Sequence, residues 1–164
     1  MNTPMMNPAE WFFLCSNIER DMTVLEWGFG VSTQWLAGLV ARVVSMEHNS
    51  GWYDMMRNKM PANVEVHLVG PSEPHDGPSD GTYEQYQQYV DRPFTLGYKY
   101  DVAIIDGRAR AACAEKASEH LDRVFIHDFS LAGDKSRREY LRVFSWYDLE
   151  DICGCLALLR RRDG

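Results

Sequence analysis

Short apolar runs of strand character alternate with helix-like segments along this chain, and that order demands a parallel sheet covered by helices. Pro8 to Asn17 reads as a helix, with Pro8 suited to its first turn. Met22 to Trp27 reads as a strand, and Ser32 or Thr33 as the cap of a helix running to about Ala41. Arg42 to Glu47 is a second strand, Gly51 to Lys59 a helix, and Asn63 to Val69 an alternating third strand. Gly70 to Gly81 is packed with Gly, Pro, Ser and Asp, so it reads as a loop long enough to be a lid. Thr82 to Val90 follows as a short helix with Tyr83, Tyr86 and Val90 on one face. Tyr100 to Asp106 is nearly continuously apolar and belongs in mid-sheet. Ala109 to Leu121 reads as a helix, Arg123 to His127 as a strand, and Ser136 to Val143 as a helix. Phe144 to Glu150 and Leu156 to Arg160 close the pattern as paired strands around Asp151 to Gly154. A length of 164 residues fits one domain spanning 1–164, able to bury a core without staples.

The first strand ends in Glu26-Trp27-Gly28-Phe29-Gly30 and opens a helix, the context in which a glycine-rich turn holds a ligand. Gly28 permits the tight turn, and Gly30 lets a ligand lie against the backbone because no Cβ intervenes. The helix that follows points unpaired N–H groups the same way. In a parallel sheet this turn lines the crevice beyond the strand ends. Glu47 ends the next strand, 19 residues after Gly28, where its carboxylate can accept both hydroxyl protons of a ribose. Dinucleotide dehydrogenases carry an acid near that distance too, so Glu47 leaves an NAD-type oxidoreductase open. Glu26 points away from it, because a carboxylate there repels a pyrophosphate and suits a cationic ligand bearing an amino group. Thr33, standing where a third fingerprint glycine would fall, points the same way.

Val24 to Ala37 (VLEWGFGVSTQWLA) resembles motif I of the class I S-adenosylmethionine-dependent methyltransferases, in the variant with Ser32-Thr33 after the glycines. Tyr100 to Arg110 (YDVAIIDGRAR) resembles the fourth-strand motif of that superfamily. Its Asp-Gly-Arg-Ala-Arg form is similar to a subgroup that includes glucuronoxylan methyltransferases and uncharacterised bacterial proteins. The likeness runs roughly from Asn17 to Arg160. It implies a Rossmann-like, doubly wound α/β fold, with a mostly parallel sheet of about seven strands, the last antiparallel, and helices on both faces. It also implies S-adenosylmethionine as cofactor, with Glu26, Gly28 and Gly30 around its methionine part and Glu47 on its ribose. Ser32, Thr33 and His48 fall beside these positions, and Trp52 lies where a ring could stack on adenine.

Asp106 and Asp128 end the fourth and fifth strands and should rim one crevice. Together they could hold a divalent cation such as magnesium, or one could act as general base. The catechol O-methyltransferase group has such an arrangement, but Phe129 stands where that group has an Asn. His127 is a further candidate base, unless strand alternation turns it into the sheet. Arg108 could clamp an anionic substrate group, or pair with Asp106; for Arg110, placed one turn into the helix, the ion pair is the favoured reading. The tyrosines at 83, 86 and 89 read chiefly as packing.

The expected reaction is O-methylation of a small-molecule or saccharide hydroxyl. A non-catalytic S-adenosylmethionine-binding module is the alternative from another class. A formal net charge of −7 argues against nucleic acid as partner, with Lys135-Ser136-Arg137-Arg138 and Arg160-Arg161-Arg162 as solvated exceptions. No apolar run reaches membrane-spanning length, and no secretory signal pattern opens the sequence. Cys15, Cys113, Cys153 and Cys155 have neither zinc-motif spacing nor disulfide density, with Cys153 and Cys155 read as a buried pair on one strand face. Together these features suggest a cytoplasmic protein, with a homo-oligomer possible because no large insertion caps the site.

Overall fold

Alternation along the strands sorts the apolar side chains into two layers. Leu25, Trp27, Val44, Met46, Ala103, Ile105, Val124 and Ile126 pack on one face of the sheet, and Val24, Val43, Val102, Ile104 and Phe125 on the other. The structure, a computed structural model, describes residues 6–73, 80–130 and 135–163, with backbone alone for 135–139. The interior of the Gly70–Gly81 loop and the side chains of the Lys135–Arg138 run thus lie outside the described residues.

The helices are α1 (Pro8–Cys15), α2 (Val31–Ala37), α3 (Ser50–Met56), α4 (Tyr83–Asp91) and α5 (Arg110–Ser118). The strands are β1 (Thr23–Trp27), β2 (Arg42–Glu47), β3 (Val64–Leu68), β4 (Val102–Ile105), β5 (Arg123–Ile126), β6 (Tyr147–Cys153) and β7 (Leu156–Arg161). They form one sheet in the order β3-β2-β1-β4-β5-β7-β6. The first five strands are parallel, while β7 runs antiparallel to both β5 and β6. Helices cover both faces. Leu14 of α1 and Leu36 of α2 join one layer; Tyr86 and Tyr89 of α4, Cys113 of α5 and Val143 of a 3₁₀ segment over 135–145 join the other. This is the doubly wound, Rossmann-like α/β fold expected from the sequence.

Four local expectations need correction. Helix α2 stops at Ala37, capped by Gly38, and Thr33 is its third residue rather than its cap. In α4 the buried face is Tyr86, Tyr89 and Val90, while Tyr83 is exposed, because the backbone leaves helical geometry at Tyr86 (φ −119°, ψ 23°) and swings the first turn outward. Arg110 begins α5 instead of lying a turn inside it. The closing hairpin turns at Gly154-Cys155, so β6 runs on to Cys153. Cys153 and Cys155 therefore share no strand face, and both are only partly buried.

The sheet margins are charged. On β3, Glu65 accepts from Tyr98 and binds His67, while β6 carries Asp148, Glu150 and Asp151. Arg160 and Arg162 pair with Glu150 and Asp148, and Arg161 with Asp122. No helix among the described residues is long and apolar enough to cross a membrane.

The turn after β1 is pressed against the end of β4. Gly28 has φ +106°, and a Cβ there would lie 2.7 Å from the carbonyl carbon of Asp106. That neighbour is backbone and cannot move aside. Gly30, by contrast, is extended (φ −171°), and nothing approaches its Cβ position closer than 3.9 Å. Gly28→Ala should therefore cost about 3 kcal/mol or more, and Gly30→Ala no more than about 1 kcal/mol. Denaturant unfolding of the two variants checks the contrast.

Candidate cofactor and catalytic cleft

Strand order reverses at β1, which is flanked by β2 on one side and β4 on the other. A crevice opens above such a switch point, because the crossovers on either side depart to opposite faces. Here it is a cavity of about 670 Å³, lined by Gly28, Phe29, Gly30, Ser32, Glu47, His48, Trp52, Asp80, Asp106, Arg108, Arg110 and Asp128, among others. That volume lies within the range of sites for small organic ligands. The structure thus brings together Gly28, Gly30, Ser32, Glu47, His48, Asp106, Arg108 and Asp128. It leaves Glu26, Thr33 and His127 beneath the surface.

Glu26 lies on the face of β1 opposite Trp27, next to Ser45 in the β1–β2 register. Its Oε2 accepts from Thr33 Oγ1 and Ser45 Oγ, each at 2.7 Å. Thr33 Oγ1 in turn accepts from the Gly30 N–H at 2.9 Å. Glu26 Oε2 and the Thr33 hydroxyl, both expected beside the cofactor, thus hold the glycine turn from below. Burial pushes the Glu26 carboxyl up to about 7, reinforced by the charges of Asp106 and Glu47 and opposed by the two hydroxyl donors.

At the end of β2, Glu47 is buried at the cavity wall and accepts the Asn49 N–H through Oε1 at 2.6 Å. His48 stacks edge-on against Tyr86 and Tyr89. Trp52 donates its indole N–H to the Phe29 carbonyl at 2.6 Å, fixing the ring over Gly30. That hydrogen bond sets a flat aromatic wall beside the turn.

On the opposite wall the two acids are joined by Arg110. Its Nη1 lies 3.4 Å from Asp106 Oδ1 and 3.2 Å from Asp128 Oδ2, and it donates to the His127 carbonyl at 2.5 Å. The expected Asp106–Arg110 pair is present. This geometry does not fit magnesium, because a guanidinium already sits between the two carboxylates and supplies the positive charge. Asp80, which the sequence reading missed, accepts the Arg110 N–H at 2.7 Å and the Ala109 N–H through its carbonyl at 2.8 Å. It does the capping that Ala109, in the left-handed region (φ +49°), cannot. No local pattern reveals this, because the cap lies 30 residues before the helix.

His127 is buried below Asp106. Its Nδ1 is 2.9 Å from Asp106 Oδ1, and its Nε2 faces Glu10 of α1 and Cys155 of the hairpin turn. Burial alone would lower the imidazole pKa, but the hydrogen bond and charge of Asp106, with Asp128 and Glu10, raise it. Glu10 and Cys155 were also missed. Neither position carries a motif, and only the fold brings them to His127.

No protein-family model and no curated protein matches the sequence. Solved structures do match. SMU.1697c of Streptococcus mutans, a candidate methyltransferase solved in complex with SAH, covers 96% of this chain and is itself covered completely, at 13% identity and TM-score 0.64. An rRNA methylase from Streptococcus thermophilus aligns over 98% of this chain and 100% of its own, at 15% identity and TM-score 0.61. A TehB-like SAM-dependent methyltransferase from Corynebacterium glutamicum aligns over 93% and 87%, at 12% identity and TM-score 0.57. The fold is that of the class I methyltransferases. Within that methyltransferase fold, the cavity occupies the crevice at the reversal of strand order.

The raised Glu26 carboxyl has a measurable consequence. Between about pH 4.5 and 7 the unfolded chain releases this proton while the folded chain keeps it, so the group's contribution falls as pH rises and then levels off. Glu26→Gln keeps an acceptor for Thr33 and Ser45 without the titration. Its stability relative to the unaltered chain should improve by about 3 kcal/mol across that interval, as read from denaturant unfolding at several pH values.

Proposed function

We propose that this chain is an S-adenosylmethionine-dependent methyltransferase acting on a hydroxyl of a small molecule or saccharide. The observation that carries the reading is the placement of the Gly28–Gly30 turn and the buried Glu47 carboxylate on the walls of one cavity at the strand-order switch. The residues fit the cofactor. Gly30 leaves open backbone where a ligand chain can lie, Glu47 offers a carboxylate for ribose hydroxyls, and the Trp52 ring and His48 form an aromatic side for a base. Ser32 adds a hydroxyl at the same rim. When bound, S-adenosylmethionine supplies a methyl group already activated on a sulfonium.

The protein's own task is positioning. Asp106 is held by His127 and Arg110 with its side chain partly open to the cavity, so it can accept a hydrogen bond from an acceptor hydroxyl and take its proton. Asp128 stands across Arg110 as the second carboxylate of that wall, and Arg108 offers a cation to an anionic group of the substrate. His127 acts through Asp106, since its ring does not reach the cavity. The Asp-Gly-Arg-Ala-Arg resemblance supports a saccharide-like acceptor. The rRNA methylase among the neighbours makes RNA a further acceptor to screen, although each of Arg160, Arg161 and Arg162 is already paired with a carboxylate.

Titration calorimetry should show S-adenosylhomocysteine binding with a Kd well below about 1 mM and no binding of NAD. Absence of the former at that concentration overturns the reading, and binding of NAD alone would favour an oxidoreductase. Gly30→Ala should fold normally and weaken S-adenosylhomocysteine at least about tenfold, since a methyl group then fills the backbone approach.

With an acceptor found by screening for S-adenosylhomocysteine release, Asp106→Asn should lower turnover by about 100-fold or more while leaving cofactor affinity nearly unchanged. Unaltered turnover would remove Asp106 from the chemistry. Cofactor binding with no turnover on any acceptor would instead favour a binding module.

A further inference from the structure

We propose that Glu10, His127 and Cys155 form a binding site for one thiophilic divalent cation of the zinc class. The site lies under the cleft and does not depend on the methyl-transfer reading. Its donors come from the first helix, the end of β5 and the turn of the last hairpin, and the fold brings them to a single point.

One ligand atom from each of the three residues lies within 4.8 Å of the others, close enough to converge on a single ion. Cys155 Sγ lies 3.1 Å from Glu10 Oε1 and 3.6 Å from His127 Nε2, and that nitrogen lies 3.5 Å from Glu10 Oε2. Zinc bonds of about 2.0–2.3 Å at tetrahedral angles separate neighbouring donors by roughly 3.3–3.6 Å, so the contacts to His127 Nε2 already have that spacing, and the Cys155–Glu10 thiol hydrogen bond would open slightly as a metal replaced its proton.

The imidazole is oriented as a ligand. With Nδ1 at 2.9 Å from Asp106 Oδ1, the ring is held so that Nε2 faces Glu10 and Cys155, where its lone pair is available to a metal once that nitrogen gives up its proton. A carboxylate behind a histidine is the usual support for a metal-bound imidazole, because it fixes the tautomer and strengthens the donor. The pocket is also shaped for the Glu10 carboxylate. Gly154 adopts φ +60°, and any Cβ at that position would collide with Glu10. Glu10 and His127 are 3% and 7% exposed, so the donors are screened from water.

The donor set selects the metal. One thiol, one imidazole and carboxylates suit zinc and exclude magnesium as the preferred ion. On binding, the Cys155 S–H and the His127 Nε2–H give their protons to solvent as the sulfur–metal and nitrogen–metal bonds form, and the cation offsets the charges of Glu10 and the new thiolate. A metal here clamps α1 and the β6–β7 hairpin to the end of β5, directly beneath Asp106.

The full chain, stripped with chelator, is titrated with Zn²⁺ alone and with Co²⁺ alone. One equivalent of Zn²⁺ should bind and raise Tm, and Co²⁺ should produce a thiolate-to-metal charge-transfer band with intense visible absorption. Cys155→Ser should weaken Zn²⁺ at least about 100-fold, with the charge-transfer band lost, while Cys153→Ser leaves both unchanged. Substoichiometric Zn²⁺, a cobalt spectrum without the charge-transfer band, or equal losses in the two serine variants would overturn the site. Should Cys155→Ser fail to fold, the cobalt spectrum of the unaltered chain still decides.

Discussion

The guanidinium of Arg110 holds the mouth of the cleft together. From the first residue of α5 it reaches the carbonyls of Gly107 and His127 and the carboxylates of Asp106 and Asp128, with Asp80 close by. Burial works against this charge, yet the surrounding carboxylates keep it firmly protonated. Such a buried cation contributes less to net stability than its contacts suggest, because its desolvation offsets much of the attraction. What it fixes is position. The ends of β4 and β5 and the segment before α4 cannot shift independently without leaving a carboxylate unpaired in a poorly solvated place.

That constraint divides the acidic residues of the site by role. Asp106, Asp128 and Glu47 line the cavity, whereas Glu26 lies beneath the glycine turn with its Oε2 accepting from the Thr33 and Ser45 hydroxyls. The chain Gly30 N–H to Thr33 to Glu26 is a second layer, supporting the turn that faces the cavity. His127 occupies the corresponding layer under Asp106. A site built in two such layers holds Asp106 and Glu47 on ordinary backbone, whereas Gly28, Ala109 and Asp128 carry positive φ angles.

Much of this was legible from the chain because period-2 and period-3.6 patterns are local. The strand alternation gave the seven-stranded sheet, and Gly28, Gly30, Glu47 and Asp106 were placed at strand ends, where the crevice lies. The pattern failed wherever the deciding contact was distant. For Glu26, only Ser45 across the β1–β2 register and Thr33 of α2 show that its Oε2 is taken up by hydroxyls inside the fold. The α4 face was misread because a single non-helical residue, Tyr86, breaks the period. Asp80 caps a helix 30 residues away, and Cys155 meets Glu10 across 145 residues, distances over which no spacing rule operates.

The Glu10–Cys155 contact also bears on how the chain assembles. Helix α1 is complete once its capping box at Asn7 and Glu10 has formed, yet the carboxylate of that same Glu10 is satisfied by the N–H and thiol of Cys155. Closing a loop of that span is slow and entropically unfavourable, and contacts of this range belong late in folding. The Glu10 carboxylate therefore gains these partners only where the β6–β7 turn closes on α1, which ties that helix to a hairpin far along the chain.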